Sequence, residues 1–486
     1  MKKLVVLISL ALVFPTFSAE AATTKVCSYK QVDQIKNGLI CKKIGYVYRW
    51  TELPKPATTK TQEVPKTEIS KPEIGVCDVD PLTPKEWLAF DSWYRSLGGC
   101  SSPYRIVESS LVSETPTTIT SDALMPIDSC MIQDSRSHLG TNGFGSDNWF
   151  FASRHPSPKT VFQIIPIYSE DAPLTGNTPM QDYSAYFNYV KKYLEYNSDV
   201  PSSVEFRVPD NYIKFNGKLS NYNVTHLRTN EQAATFLSAL ISQVDNSINF
   251  TGANMALVLV PSGTPESIFE QSGLDRVNTN EGNIIVDAMA APNFENKRYM
   301  FYGLKHPAWW LHEMWHTGLG LADTADGPTQ TMGHWGIMGR STTDLLGWHK
   351  WLLGFYANDQ IKCQSPTSTS VSWVVPSTVK SNKTKLVMIP LGNNKAIGIE
   401  SIRPYGFNFK LGKEAHGALV YLIDETVTDH NDGMMLLNPS NRSTRSTLFE
   451  GSNSVLKLND YIVYNNIKIT VIEAGAFGDV IKIERK

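Results

Sequence analysis

Two histidines and a glutamate in the segment HPAWWLHEMWHTGLGLAD, residues 306–323, have the types and the spacing that metal chemistry requires. His312 and His316 are four residues apart, so on a helix their imidazoles lie on one face and can reach the same zinc ion. Glu313 projects beside the metal, where it can take a proton from a zinc-bound water and later pass it to a leaving amine. Zinc lowers the pKa of that water to about 7, so the pattern predicts hydrolysis near neutral pH.

The residues around this motif predict the helix that would carry it. Pro307 suits a first helical turn, and Gly318 can take the left-handed conformation at a helix C-terminus. Apolar residues, Trp310 and Trp315 among them, make up most of the rest of the predicted helix. A chance His-Glu-x-x-His arises in roughly one chain in a hundred of this composition, and such a match would lack this context. The sequence therefore predicts zinc as the cofactor.

A third protein ligand is needed, because a catalytic zinc takes three side chains and leaves one position open. Once the helix has ended at a glycine, the chain can fold back under the metal. Asp323 is the nearest acid beyond that point and is the favoured ligand. Asp326 and His334 stay open as alternatives.

The beginning of the chain has the three parts of a secretory signal peptide, residues 1–21. Lys2 and Lys3 form a positive head, residues 4–14 are apolar and too short to span a bilayer comfortably, and residues 19–21 form an A-x-A cleavage site. Six cysteines in an exported chain favour disulfides. Proximity in the sequence favours Cys27–Cys41 and Cys77–Cys100, which leaves Cys130–Cys363.

The remaining chain divides into five predicted segments. Residues 22–50 form a small disulfide module, residues 51–75 a Pro/Thr-rich linker, and residues 76–158 an N-terminal segment or a removable pro-segment. Residues 159–363 alternate strands and helices and predict an α/β catalytic domain with one mixed sheet. In residues 364–486, seven short strands broken by turn residues predict a β-sandwich, so the fold class is α+β.

The charge balance bears on partners. Lys plus Arg number 45 and Asp plus Glu number 47, with no long basic run. Nucleic acid is therefore not an expected partner. A protein or peptide substrate is expected instead.

The segments HEMWHTGLGLAD, GIMG and LLGWHKWLLGF together resemble the immune inhibitor A family of secreted metallopeptidases, which belongs to the metzincin group. The resemblance implies a metzincin-like catalytic domain with a zinc-binding active-site helix and a β-sandwich behind it. It implies His312, His316 and Asp323 as zinc ligands, Glu313 as general base, and Met338 as the residue of the Met-turn. The family places its acid six residues after the second histidine, whereas Asp323 follows His316 by seven.

The resemblance also implies calcium as a second cofactor, as in other exported members of such families. The acidic loop with Asp424, Asp429 and Asp432 could bind it through oxygen ligands, or could be a solvated turn.

The main functional prediction is a secreted, zinc-dependent endopeptidase that hydrolyses peptide bonds in an extracellular space. The alternative is a catalytically inactive protein with a relic zinc site, attached to a cell surface or a glycan. The presence of Glu313 favours the enzyme, because a metal-binding relic has no evident need for that carboxylate. A zinc-dependent hydrolase of a non-peptide bond would use the same residues.

Overall fold

The chain forms two compact units, Met1–Pro72 and Glu73–Lys486. The computed structural model describes residues 35–36, 39–44, 47–52, 114–133, 143–144, 159–225, 228–292, 306–319, 321–324, 332–333, 335–339, 343–403, 407–408, 415–427, 433–444 and 454–486. The predicted signal peptide and the side chains of the four cysteines at positions 27, 41, 77 and 100 lie outside these described residues. In the part of the chain that is described, no helix is both long enough and apolar enough to cross a membrane.

The first unit contains a three-stranded antiparallel sheet in the order β1-β2-β3. Its strands are β1 (Ile35–Lys36), β2 (Leu39–Ile44) and β3 (Val47–Glu52). The two longer strands pair along their whole length, from Leu39 opposite Glu52 to Ile44 opposite Val47.

A six-stranded mixed sheet forms the base of the larger unit. Five strands follow the order β5-β4-β7-β9-β8, and β6 also pairs with β4. All neighbours are parallel except β8, which lies antiparallel to β9 at one edge. The central strands β4 and β7 are buried on both faces, as their continuous apolar runs predict. The bounds are β4 (Lys159–Tyr168), β5 (Ser203–Arg207), β6 (Ile213–Lys214), β7 (Met255–Leu259), β8 (Ser272–Thr279) and β9 (Gly282–Ala288).

Helices cover both faces of this sheet. Helix α1 (Pro179–Asn197) and helix α3 (His306–Leu319) contribute to one apolar core, and helix α2 (Asn230–Val244) contributes to the other. A capping box closes the start of α2, where Thr229 and Gln232 exchange side-chain and backbone hydrogen bonds. Helix α4 spans Gly347–Leu352, within the segment LLGWHKWLLGF.

The last third of the larger unit consists of two sheets. The five-stranded sheet has the order β10-β12-β13-β14-β15 and the four-stranded sheet the order β11-β18-β17-β16. The seven predicted strands are confirmed, and the short β10 and β15 are additional. The bounds are β10 (Ile361–Cys363), β11 (Ser370–Val374), β12 (Leu386–Gly392), β13 (Lys395–Ile402), β14 (Gly417–Asp424), β15 (Met434–Leu436), β16 (Tyr461–Tyr464), β17 (Ile467–Gly475) and β18 (Gly478–Arg485).

The five-stranded sheet has an apolar core on each face. On one face, Ile397 and Ile399 share a core with Ile469 and Ile481 of the four-stranded sheet. Its other face, with Tyr421, belongs to the core that also contains α1, α3 and α4. The predicted boundary at residue 363 therefore falls inside a shared core. Several mixed sheets and few helices make the architecture mixed α/β, which is compatible with the α+β class.

Residues 114–133, which fall in the predicted N-terminal or pro-segment, run across the edges of these sheets. Ser121 pairs with Val371 of β11 through two backbone hydrogen bonds, and Met125 N–H donates to the Cys363 carbonyl. Cys130 forms a disulfide with Cys363, which is the predicted pairing. The described part of this segment is therefore built into the larger unit.

Candidate metal centre

Helix α3 places the two histidines and the glutamate by burying its apolar side. Trp310 and Leu311 are fully buried, and Met314 and Trp315 are nearly so. The Trp310 indole N–H donates to the Ala290 carbonyl at 3.1 Å, which anchors the helix to the chain just beyond β9. With that side buried, the rotation of the helix is set, and the faces that carry the histidines are set with it.

Three donor atoms converge beside the helix. His312 Nε2 and His316 Nε2 are 3.1 Å apart, and Asp323 Oδ1 is 3.2 Å from the first and 3.3 Å from the second. Zinc bonds of about 2.0–2.1 Å in a tetrahedron would separate neighbouring ligand atoms by roughly 3.3 Å. The triangle is therefore the size that one zinc ion with an open fourth position needs. Within the described residues it is the one cluster of three metal-ligand side chains that lies close enough together.

Backbone carbonyls orient both imidazoles from behind. His312 Nδ1 lies 2.8 Å from the Ile337 carbonyl oxygen, and His316 Nδ1 lies 2.6 Å from the Leu321 carbonyl oxygen. A carbonyl only accepts, so each Nδ1 carries the proton and each Nε2 presents a lone pair to the metal position. The Trp309 indole also stacks on the His312 ring, with ring centroids 5.5 Å apart and planes 11° apart.

The charges of the site favour a cation at its centre. Burial by itself lowers the pKa of His316, but the Asp323 carboxylate and the Glu313 charge outweigh it and raise that pKa to about 10. Burial raises the pKa of Asp323, but the two histidines outweigh it and hold that pKa well below its usual range. In the metal-free chain, a proton on His316 therefore fills the role that a metal cation would take.

The turn Gly336–Gly339 holds the centre through its backbone. The Ile337 carbonyl accepts from His312, and the Met338 carbonyl accepts from Thr324 N–H at 2.8 Å, next to Asp323. Met338, predicted as an apolar floor, is fully buried in the same core as α3. Gly339 cannot take a larger side chain without a shift, because an added Cβ would lie 2.6 Å from the Gly333 carbonyl oxygen.

The seven-residue step from His316 to Asp323 is accommodated at the helix end. Helix α3 runs as far as Leu319, and Leu321 N–H then donates back to the Trp315 carbonyl at 3.1 Å. This closure returns the chain toward the imidazoles, and Asp323 meets both of them. The contacts of the imidazoles with the carbonyls of Leu321 and Ile337 could not be predicted from the sequence, because any residue type supplies a backbone carbonyl.

The other predicted site residues have different places. Glu313 lies on α3 next to the first histidine and is partly exposed. Asp326 and His334, the alternative third ligands, lie outside the described residues, as do Asp429 and Asp432 of the proposed calcium loop. Asp424 accepts hydrogen bonds from Lys395 at 2.6 Å and from Thr426, so its carboxylate already has a cationic partner.

No protein-family model, no curated protein and no solved structure matches this chain. The chemistry of the site therefore rests on its own geometry and on the sequence motifs.

Proposed function

We propose that this chain is an exported zinc-dependent endopeptidase of the metzincin type. The observation that carries the proposal is the convergence of His312, His316 and Asp323 at mutual distances of 3.1–3.3 Å. Glu313 follows the first of these residues directly on the same helix. Ligands, general base and an open position are the parts that a metallopeptidase needs.

The donor set fits zinc better than it fits calcium or magnesium. Two neutral imidazoles and one carboxylate suit a borderline metal in a four-coordinate site, whereas calcium and magnesium prefer sites made of oxygen atoms. A bound zinc would supply Lewis-acid chemistry, polarising a scissile carbonyl and lowering the pKa of a water ligand to about 7. His312 and His316 would be held in the correct tautomer by the carbonyls behind them.

Glu313 would move the proton in this reaction. Its carboxylate is close enough to His316 to raise the pKa of that imidazole, and it is partly exposed, so it can reach a substrate. It would accept the proton as the water oxygen bonds to the carbonyl carbon, and then donate it to the amide nitrogen as the carbon–nitrogen bond breaks. The products would be a carboxylate and an amine.

The mixed sheet offers a surface for an extended peptide. Strand β8 is the last in the order of the described strands, pairs with β9 on one side only, and contacts helix α3. Its first part is mostly buried, and the consecutive residues Asp275 and Arg276 are both exposed. A peptide that added to this edge would lie beside the helix that carries the metal ligands. This arrangement supports a peptide substrate over a small ester or amide.

The proposal includes a metzincin-like catalytic domain and a C-terminal β-sandwich. A zinc helix followed by a buried methionine turn supports a metzincin-like catalytic domain, and two sheets around one apolar core support a C-terminal β-sandwich. Export is supported by the signal-peptide pattern of residues 1–21 and by the Cys130–Cys363 disulfide.

The test is zinc content and casein cleavage by the exported, purified chain. The wild type is compared with Glu313→Ala and with Glu231→Ala, which removes an exposed acid from α2. We expect one zinc per chain in all three proteins, and chelator-sensitive cleavage by the wild type and Glu231→Ala only. Zinc without cleavage by the wild type would favour the inactive binding protein. A wild type without zinc would refute the metal centre.

A further inference from the structure

The backbone that leads into helix α4 is held by side chains from distant parts of the chain. We refer to residues 343–348 as the 343–348 link. Two of its holding groups come from α1: the Tyr193 hydroxyl donates to the Thr343 carbonyl at 2.8 Å, and the Asn197 side-chain oxygen accepts from Leu345 N–H at 3.2 Å. These bonds fix the first half of the link to the helix that packs against α3.

The second half of the link is held from the five-stranded sheet. Leu346 is the N-cap residue of α4 and provides no side-chain cap. The first amide of the helix, Gly347 N–H, donates instead to Glu400 Oε1 at 2.8 Å. Trp348 N–H donates to the Tyr421 hydroxyl at 3.1 Å, and that hydroxyl donates to Glu400 Oε1 at 3.1 Å. Strands β13 and β14 thus satisfy helix amides that the local sequence leaves open.

Glu400 is an unusual residue for a β-sheet core. It is fully buried, and its second oxygen, Oε2, has no hydrogen-bond partner among the described residues. Burial raises the pKa of Glu400 to about 7. A buried carboxyl group with one unsatisfied oxygen destabilises a core, so an apolar residue would serve packing alone better. The contacts of Oε1 with α4 are what an apolar residue could not provide.

The link is in direct contact with the turn behind the first metal ligand. A Cβ built on Gly336 would lie 2.9 Å from Leu346 Cγ, so the Leu346 side chain packs on the backbone of Gly336. The next residue, Ile337, supplies the carbonyl that accepts from His312 Nδ1. A shift of Leu346 would therefore be transmitted through one backbone residue to the imidazole.

We propose that Glu400 is a positioning residue for the metal centre, which it reaches through the 343–348 link and the Gly336–Gly339 turn. With Tyr421, it fixes the start of α4 and so keeps the Ile337 carbonyl where His312 needs it. The inference rests on the proposed function only in requiring that the wild type binds a metal. Its consequence is that the five-stranded sheet is part of the metal centre's support.

The test is the zinc affinity of the whole exported chain, measured by competition with a chromophoric chelator and without any substrate. Glu400→Ala removes the acceptor for Gly347 N–H. We expect about a tenfold loss of zinc affinity, which is the lower end of the loss seen when a group that supports a metal ligand is removed. Glu400→Gln keeps an acceptor oxygen and should stay within about twofold of the wild type. Tyr421→Phe is a milder change, to be used if Glu400→Ala fails to fold. It should lower zinc affinity by about threefold.

The matched control is Ile399→Ala, the neighbouring residue on β13, whose side chain lies in the core on the other face. It should lower thermal stability and leave zinc affinity unchanged. Equal zinc affinity in the wild type, Glu400→Ala and Tyr421→Phe would overturn the inference and leave the proposed function intact. An equal loss in Ile399→Ala would also overturn it, because general destabilisation would then explain the effect. A wild type that binds no zinc would overturn both proposals.

Discussion

Replacing Asp323 with alanine removes the one anionic donor of the triangle. The Nε2 atoms of His312 and His316 are 3.1 Å apart, and each Nδ1 keeps its backbone carbonyl partner in the variant. The half of the site that lies on helix α3 therefore stays assembled. Structural zinc sites bind with about 10–16 kcal/mol shared by four ligands, or roughly 2.5–4 kcal/mol for each. We therefore expect Asp323→Ala to weaken zinc binding by a factor of roughly 10²–10³.

Asp323→Asn gives a second readout that needs no metal. It keeps an oxygen at the same place and removes the charge that raises the pKa of His316 to about 10. In the metal-free Asn variant the pKa of His316 should therefore fall, because burial lowers it and only the Glu313 charge and the Leu321 carbonyl still raise it. The assay is chelator competition for zinc, together with nuclear magnetic resonance titration of the histidine rings in the metal-free protein.

Two other variants decide whether Asp323 is the right acid. Asp326→Ala and His334→Ala remove the alternative donors from the sequence, and both should bind zinc like the wild type. If either of them loses zinc while Asp323→Ala retains it, the ligand assignment is refuted. An unchanged His316 titration in Asp323→Asn would refute the electrostatic account of the site.

Three further predictions concern pH, the turn and the disulfide. The folded pKa of His316, about 10, exceeds the ordinary 6.5, so its contribution to stability is complete below pH 6.5 and is lost as pH rises through 10. Thermal melts from pH 6 to 10 should therefore show zinc stabilising the chain more as pH rises, and a pH-independent gain would contradict this. Gly339→Ala should destabilise the chain by about 1–3 kcal/mol, because its Cβ meets backbone carbonyls, and should lower zinc content; an unchanged melting temperature would be the contrary result. Cys130→Ser opens a disulfide with a sequence separation of 233 and should reduce the unfolding free energy by about 3–5 kcal/mol in denaturant titrations, and an unchanged unfolding free energy would be the contrary result.

Local patterns made much of the fold predictable. The apolar runs of β4 and β7, the helix-capping box at Thr229 and the strands of the last 120 or so residues follow from periodicity and turn residues alone. The strand β8 was missed, because its sequence SGLDRVNT is largely polar and half-exposed. An edge strand like this one is stabilised by its neighbour's backbone more than by its own apolar residues.

The division of the chain after residue 363 depended on a change in the local strand pattern, and a local pattern does not report which faces meet. The five-stranded sheet lies between two cores, so Tyr421 on β14 contacts α4, while Ile399 on the neighbouring strand β13, next to the residue that pairs with Tyr421, faces the four-stranded sheet. Alternation along a strand predicts that both faces are used, but not which partner covers each.

His312, Glu313 and His316 were determined by the sequence itself, because four residues make about one helical turn and no tertiary contact is needed to align them. The position of Asp323 was decided by the tertiary structure, since the return of the chain depends on how α3 ends and on the bond from Thr324 to the Met338 carbonyl. The carbonyls that contact each imidazole, and the hydrogen bond from Gly347 N–H to Glu400, could likewise not be predicted from the sequence. Such contacts join residues that are far apart along the chain, and backbone groups are the same in every residue, so only folding brings them together.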